Sequence, residues 1–128
     1  MKVEVSNGEL LDKVSILEIK LRNITDEEKL VNIQNEFNEL EPLAKHLFES
    51  DEGQLHDHYH ELIEINSELW DIEDDIRECE RNKDFGEKFI KLARAVYITN
   101  DKRCEVKKII NISTGSKLVE EKGYEEYS

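Results

Sequence analysis

A chain of 128 residues with a formal net charge of −13 lacks the basic surface that nucleic acids and anionic membranes require, so neither is an expected partner. Charged and hydrophobic residues each make up 38% of it. Because the hydrophobic ones recur at helical spacing, the chain reads as an ordered acidic domain over 1–128 and not as a disordered acidic tail.

Met1 to Val5 alternates apolar and charged residues, as an extended segment does. Ser6-Asn7-Gly8-Glu9 is a capping box that starts a helix, and Leu10, Val14, Leu17, Leu21 and Ile24 follow at four-three-four-three spacing as its buried stripe, widened by Leu11. Lys13 and Glu18 flank that stripe as its snorkelling edge. Thr25-Asp26-Glu27-Glu28 is a second capping box, so another helix begins almost at once and the two fold into a tight hairpin. Leu30, Ile33, Phe37, Leu40, Ala44 and Leu47 are its stripe, and Pro42 predicts a kink or a split near Leu40. Ser50-Asp51-Glu52-Gly53 is a loop of turn-forming residues.

Gln54 to Asn111 follows as two long helical runs joined by Arg81-Asn82-Lys83-Asp84, a second hairpin on which the rest is built. Leu62, Ile65, Leu69, Ile72, Ile76 and Cys79 give the first run a continuous buried face. Asp84 is placed to cap the next run, with Glu87 three residues on. That run is apolar nearly all round between Phe85 and Ile98, which predicts a central helix. The tail beyond Gly115 is polar over 116–128, with Leu118, Val119, Tyr124 and Tyr127 as docking points, without which it would fray. The expected fold is therefore all-α, an antiparallel bundle of four main helices near 7–23, 26–49, 54–82 and 84–112.

The chemistry lies among polar residues turned inward. At about 100° per residue, Asn66, Glu73 and Arg77 share an arc with Leu62, Leu69 and Trp70. On the last helix Phe89, Ala93 and Val96 define a face that continues through Asn100, Arg103 and Lys107. Antiparallel folding sets residues whose numbers sum to about 167 at one height, which puts Glu73 level with Arg94 and Glu64 with Arg103. An inward Glu73 is expected to be largely buried and bonded to Arg77 one turn along or to Arg94 across the hairpin. His56 and His60, one turn apart with Glu64 nearby, have a spacing open to a metal. A solvent-facing or hydrogen-bonded role is the preferred reading, and no metal is expected there. Cys79 and Cys104 stand about 12 Å apart in height, too far for a disulfide. With no apolar signal core and no run of eighteen apolar residues, the expectation is free thiols in a reducing cytoplasm.

Two functions from different classes fit. One is a non-catalytic binding or assembly module, expected as a homodimer without a cofactor, whose polar set either fixes a partner or holds a small polar or anionic ligand. The other is a magnesium-dependent nucleoside triphosphate pyrophosphohydrolase of the all-α kind, with Glu36 and Glu39 on one helix and Glu68 and Asp71 on a later one as metal ligands. In a chain with 31 acidic residues such pairs also arise by chance, and the binding module is preferred.

Gly8-Glu9-Leu10-Leu11-Asp12-Lys13 with Ile16-Leu17-Glu18-Ile19-Lys20, then Leu69 to Arg77, Phe89 to Tyr97 with Asn100-Asp101-Lys102-Arg103, and Gly115 to Lys122 resemble an uncharacterised family of short all-α bacterial and phage proteins. The resemblance covers nearly the whole chain. It implies a domain of unknown function sometimes encoded beside surface-polysaccharide or glycosyltransferase genes, and it supplies no reaction. It draws attention to Glu73, Arg77, Arg94, Asn100, Asp101 and Arg103, which with Asn66 make up the candidate site.

Overall fold

The computed structural model describes residues 1–51 and 53–128; of the loop read from the sequence, Glu52 lies outside the described residues. Four helices form, α1 Asn7–Asn23, α2 Glu27–Glu49, α3 Leu55–Arg81 and α4 Glu87–Ser113, and no strand occurs among the described residues. The Ser6 side chain caps α1 by accepting from the Glu9 amide at 3.0 Å. At α2 the cap is Asp26, bonded to the Lys29 amide, one residue later than the box at Thr25 suggested. The helix is continuous through Pro42, so of the expected kink or split the split does not occur. Pro42 is exposed, and on a solvent face water satisfies the carbonyl that the missing N–H leaves free.

The turn between α3 and α4 is tighter than read. Lys83 takes a left-handed φ of 55°, its amide bonds to the Glu80 carbonyl at 3.1 Å, and the Asp84 amide bonds to the Cys79 carbonyl at 2.9 Å. That is a Schellman closure built on a lysine. With Asp84 held in it, α4 starts only after Gly86, and the Asp84 carboxylate accepts from the Gly86 amide and caps no first turn. Gly115, at φ 64°, closes the end of α4 in the same way.

α1 packs against all three other helices, and the α3–α4 hairpin forms the largest interface. This corrects the expectation that the apolar last helix is central. Leu11, Val14, Leu17 and Ile19 of α1 are buried, whereas α4 leaves Ile90, Tyr97, Ile109 and Ile112 exposed. The core gathers Leu11, Val14, Ala44, Leu55, Tyr59, Leu62, Val106 and Ile110. Contacts of Asp12 and Ser15 with Asn66 fix the register of α1 on α3. From there, at 1.5 Å rise, α1 ends opposite about residue 75 of α3. Beyond that height the hairpin runs on without α1 beside it.

Candidate functional site

Asp12 is the most enclosed charge among the described residues, with its side chain only 1% exposed. Arg103 clamps it with two guanidinium nitrogens, Nε at 2.9 Å from Oδ1 and Nη2 on Oδ2. The Asn66 amide donates to Asp12 Oδ1 at 2.9 Å and to Ser15 Oγ at 2.8 Å, and Ser15 in turn donates to the Asp12 carbonyl. Lys107 lies 3.8 Å from Asp12, 2.5 Å from Glu9 and 3.3 Å from Glu120. The hydrogen bond to Asp12 raises the Arg103 pKa against the cost of burial. For Lys107 burial works downward, yet the Glu9, Asp12 and Glu120 carboxylates raise it on balance. Bidentate, fully bonded pairs of this kind are the ones that recover the cost of desolvation.

Sequence reading found Asn66 and Arg103 and set Arg103 level with Glu64, close to the observed height, but did not find its partner Asp12 on α1. The missed signal was a second stripe on the first helix: Gly8, Asp12 and Ser15 are spaced four and three, the period of a buried face, but are small or polar. Gly8 belongs to it for steric reasons. A Cβ there would lie 2.5 Å from the Lys107 carbonyl oxygen and 2.9 Å from Asn111 Oδ1, so α1 reaches α4 this closely only through a glycine. In return the Gly8 amide donates to Asn111 Oδ1 at 2.6 Å, and Asn7 bonds to Ser116 and Thr114. The free N–H groups of the first turn of α1 are thus met by the end of α4.

Beside this network an open groove of about 430 Å³ lies between three helices. α1 contributes Ile16 and Ile19, α4 contributes Asn100 and Arg103, and α3 contributes Asn66, Leu69, Trp70, Glu73, Asp74 and Arg77. The structure therefore brings together five of the seven candidate residues. The other two lie elsewhere: Arg94 is exposed and lines no part of the groove, and Asp101 faces the C-terminal tail, bonded to Lys122. Glu73 bonds to Arg77 one turn along, but the two side chains are 45% and 70% exposed, which corrects the expected burial of Glu73. The reason is register, since Glu73 lies beside the last turn of α1 and Arg77 past it.

Of the four carboxylates in the metal-dependent alternative, Glu36 pairs with Lys13 at 3.1 Å across α1 and α2, while Glu39, Glu68 and Asp71 are exposed. Among the described residues no group of three or more His, Cys, Asp or Glu side chains is placed to hold a metal ion. His56 stacks on Phe48 at 4.4 Å, and His58 lies 3.1 Å from Glu61. Cys79 and Cys104 are both free.

The tail lies along α4 as an extended strap. Glu120 bonds to the Ser6 hydroxyl and to Lys107, Glu121 to Lys108 at 2.9 Å, Lys122 to Asp101, and Tyr127 packs edge-on against Tyr97. Of the expected docking points only Tyr127 makes a ring contact on α4, and Tyr124 instead stands under the Lys122 ammonium. Three ion pairs and one ring contact thus join the strap to α4.

The model of a family described as "Family of unknown function (DUF6165)" matches residues 1–127, and the chain belongs to that family. No curated protein and no solved structure matches it. Among the described residues no helix is long and apolar enough to cross a membrane.

Proposed function

We propose that this member of a family of unknown function is a non-catalytic binding module that holds a small polar ligand in the groove between α1, α3 and α4. The observation that carries the reading is the groove itself. Its volume of about 430 Å³ falls in the range of small-molecule sites, and it joins apolar walls to a few convergent polar groups. Its base is prepared in advance, since Arg103 and Asn66 are locked by Asp12 and Ser15 and need no reordering when a ligand arrives. The acidic surface speaks against nucleic acid and membrane as partners, and two free thiols suit a reducing cytoplasm. A homodimer is part of the same reading: Phe85 and Ile90 are exposed at the closed end of the hairpin, where a second copy would cover them.

The test is a thermal-shift screen with small polar compounds, run beside sedimentation. A compound present at a hundred times its dissociation constant is expected to stabilise the protein by about 2.7 kcal/mol, and Asn100→Ala is expected to cut that shift by about half without lowering the melting temperature of the free protein. An empty screen with a dimer that buries the groove would replace ligand binding by assembly. Pyrophosphate release from nucleoside triphosphates with magnesium, lost in Glu68→Gln, would replace both by the enzyme.

A further inference from the structure

The atoms left unbonded on the floor of the groove narrow its ligand, given that the groove is a binding site as proposed above. Asn66 is 6% exposed, and its Nδ2 donates both to Asp12 and to Ser15. That fixes which way the amide faces. Its Oδ1 accepts from no described residue, yet it is not among the atoms sealed from solvent without a partner, so it opens onto the groove that Asn66 lines. Asn100 Nδ2 donates to no described residue, and Arg103 Nη1 has only Asn100 Oδ1 at 3.5 Å, the limit of a hydrogen bond. Asn66, Asn100 and Arg103 all line the groove, which thus offers one free acceptor and two unspent donors.

Charge and shape restrict the ligand further. Both guanidiniums that line the groove already hold a carboxylate, Arg103 that of Asp12 and Arg77 that of Glu73. An anionic ligand would meet two guanidiniums whose charge is already offset by a carboxylate and would also face Asp74. A neutral ligand meets no such cost. Ile16 and Ile19 come from α1 and Trp70 from α3, so apolar side chains of two helices meet the faces of whatever enters. Flat rings suit such walls, whereas the hydroxyls of a sugar would lose water against isoleucine without a partner.

We infer that the groove takes a neutral planar heterocycle with a lactam edge, laid against Trp70, its ring N–H donating to Asn66 Oδ1 and its ring carbonyl accepting from Asn100 and Arg103. Nucleobases are the ready source of this chemistry. Pyrimidine and purine rings both present the edge and are told apart by the probes below.

Trp70 is the only tryptophan of the chain, so its fluorescence reports occupancy directly. Full-length protein is titrated with uridine, inosine, their ring-N-methylated counterparts 3-methyluridine and 1-methylinosine, methyl glucoside, and uridine triphosphate with magnesium. Saturable quenching by uridine or inosine is expected, weakened at least tenfold by methylation of the ring nitrogen, because a site built to bond an N–H rejects the analogue that lacks it. Asn100→Ala is expected to weaken the same nucleoside about tenfold at an unchanged melting temperature. Equal binding of the methylated analogue, quenching by the glucoside alone, or binding of the triphosphate tenfold tighter than uridine would each overturn the inference. Silence from every probe would overturn the lactam class; if the broad screen of polar compounds still gives a hit weakened in Asn100→Ala, the binding module stands without it.

Discussion

Asp12 and Glu73 are carboxylates on apolar helical faces, each bonded to an arginine, and they differ in what covers them. Asp12 has α3 on one side and α4 on the other and a side chain only 1% exposed. Glu73 holds its arginine within one helix at the rim of the groove. Removing one partner of a buried pair strands the other, at about 3–5 kcal/mol, whereas an exposed pair one helical turn apart contributes about 0.3–0.5 kcal/mol. Asp12→Ala is therefore expected to lower unfolding stability by about 3 kcal/mol or more, and Glu73→Ala by about 0.5 kcal/mol or less. Urea midpoints of the two variants check this, and equal losses would show that the arc of the isolated helix had identified the buried carboxylate after all. Asn66 and Arg103 were legible because residue types that need partners fell on apolar helical faces. Asp12 was not, since it lay outside the stripe drawn through Leu10, Val14 and Leu17.

Helices here are placed by the smallest residue on them as much as by the largest. On an exposed helix Gly→Ala gains about 1 kcal/mol from propensity alone. At Gly8 the added carbon would meet a backbone carbonyl at 2.5 Å, and backbone has no rotamer by which to yield. Gly8→Ala is expected to cost about 1–3 kcal/mol, the range for overpacking, and to loosen the Gly8–Asn111 bond. Thermal unfolding gives the sign, and a stabilised variant would show that α1 and α4 can separate at no cost. The same crossing explains why α4 is not central despite its apolar circumference. Its close approach to α1 lies at Lys107 and Asn111, whereas its apolar run, Phe85 to Ile98, lies toward the closed end of the hairpin, beyond the reach of α1 over its first part.

For the molecule as a whole, the strap ties the C-terminus to the start of α1 through Glu120 and Ser6, and ion pairs hold it along α4. Burial works to raise the Glu120 pKa, but the Ser6 hydroxyl and Lys107 bring it below the ordinary 4.5. Lys122, and after it the Tyr127 hydroxyl, lower Asp101 below 3.8. A carboxylate whose folded pKa lies under its unfolded value contributes stability that is fully present above the unfolded value and lost as pH falls through the folded one. The strap is therefore expected to hold at neutral pH, to loosen as pH drops below 4.5 and then 3.8, and to loosen also in 1 M salt, where the screening length is about 3 Å. Heteronuclear NOEs of the Glu120 to Lys122 amides should fall toward random-coil values under both conditions while the helical dichroism persists. Amides that stay rigid would assign the docking to Leu118, Val119, Tyr124 and Tyr127, the docking points read from the sequence.

Four helices and their approximate extents follow from local rules, and the sequence alone determined them: stripes at helical period, a serine with a glutamate three residues on, turn-formers between runs. These depend on neighbours within one or two turns, which a sequence displays. The inward direction of Asn66, Asn100 and Arg103 was legible for the same reason. Tertiary structure decided which helix is surrounded, how far α1 reaches along the hairpin, and hence that Asp12 is the buried partner of Arg103 while Glu73 lies at a rim. Burial at a given height depends on whether another helix ends before or after it. That register comes from contacts distant in the chain, Asp12 and Ser15 with Asn66 and Gly8 with Lys107, 99 residues away, which no periodicity along a single helix encodes.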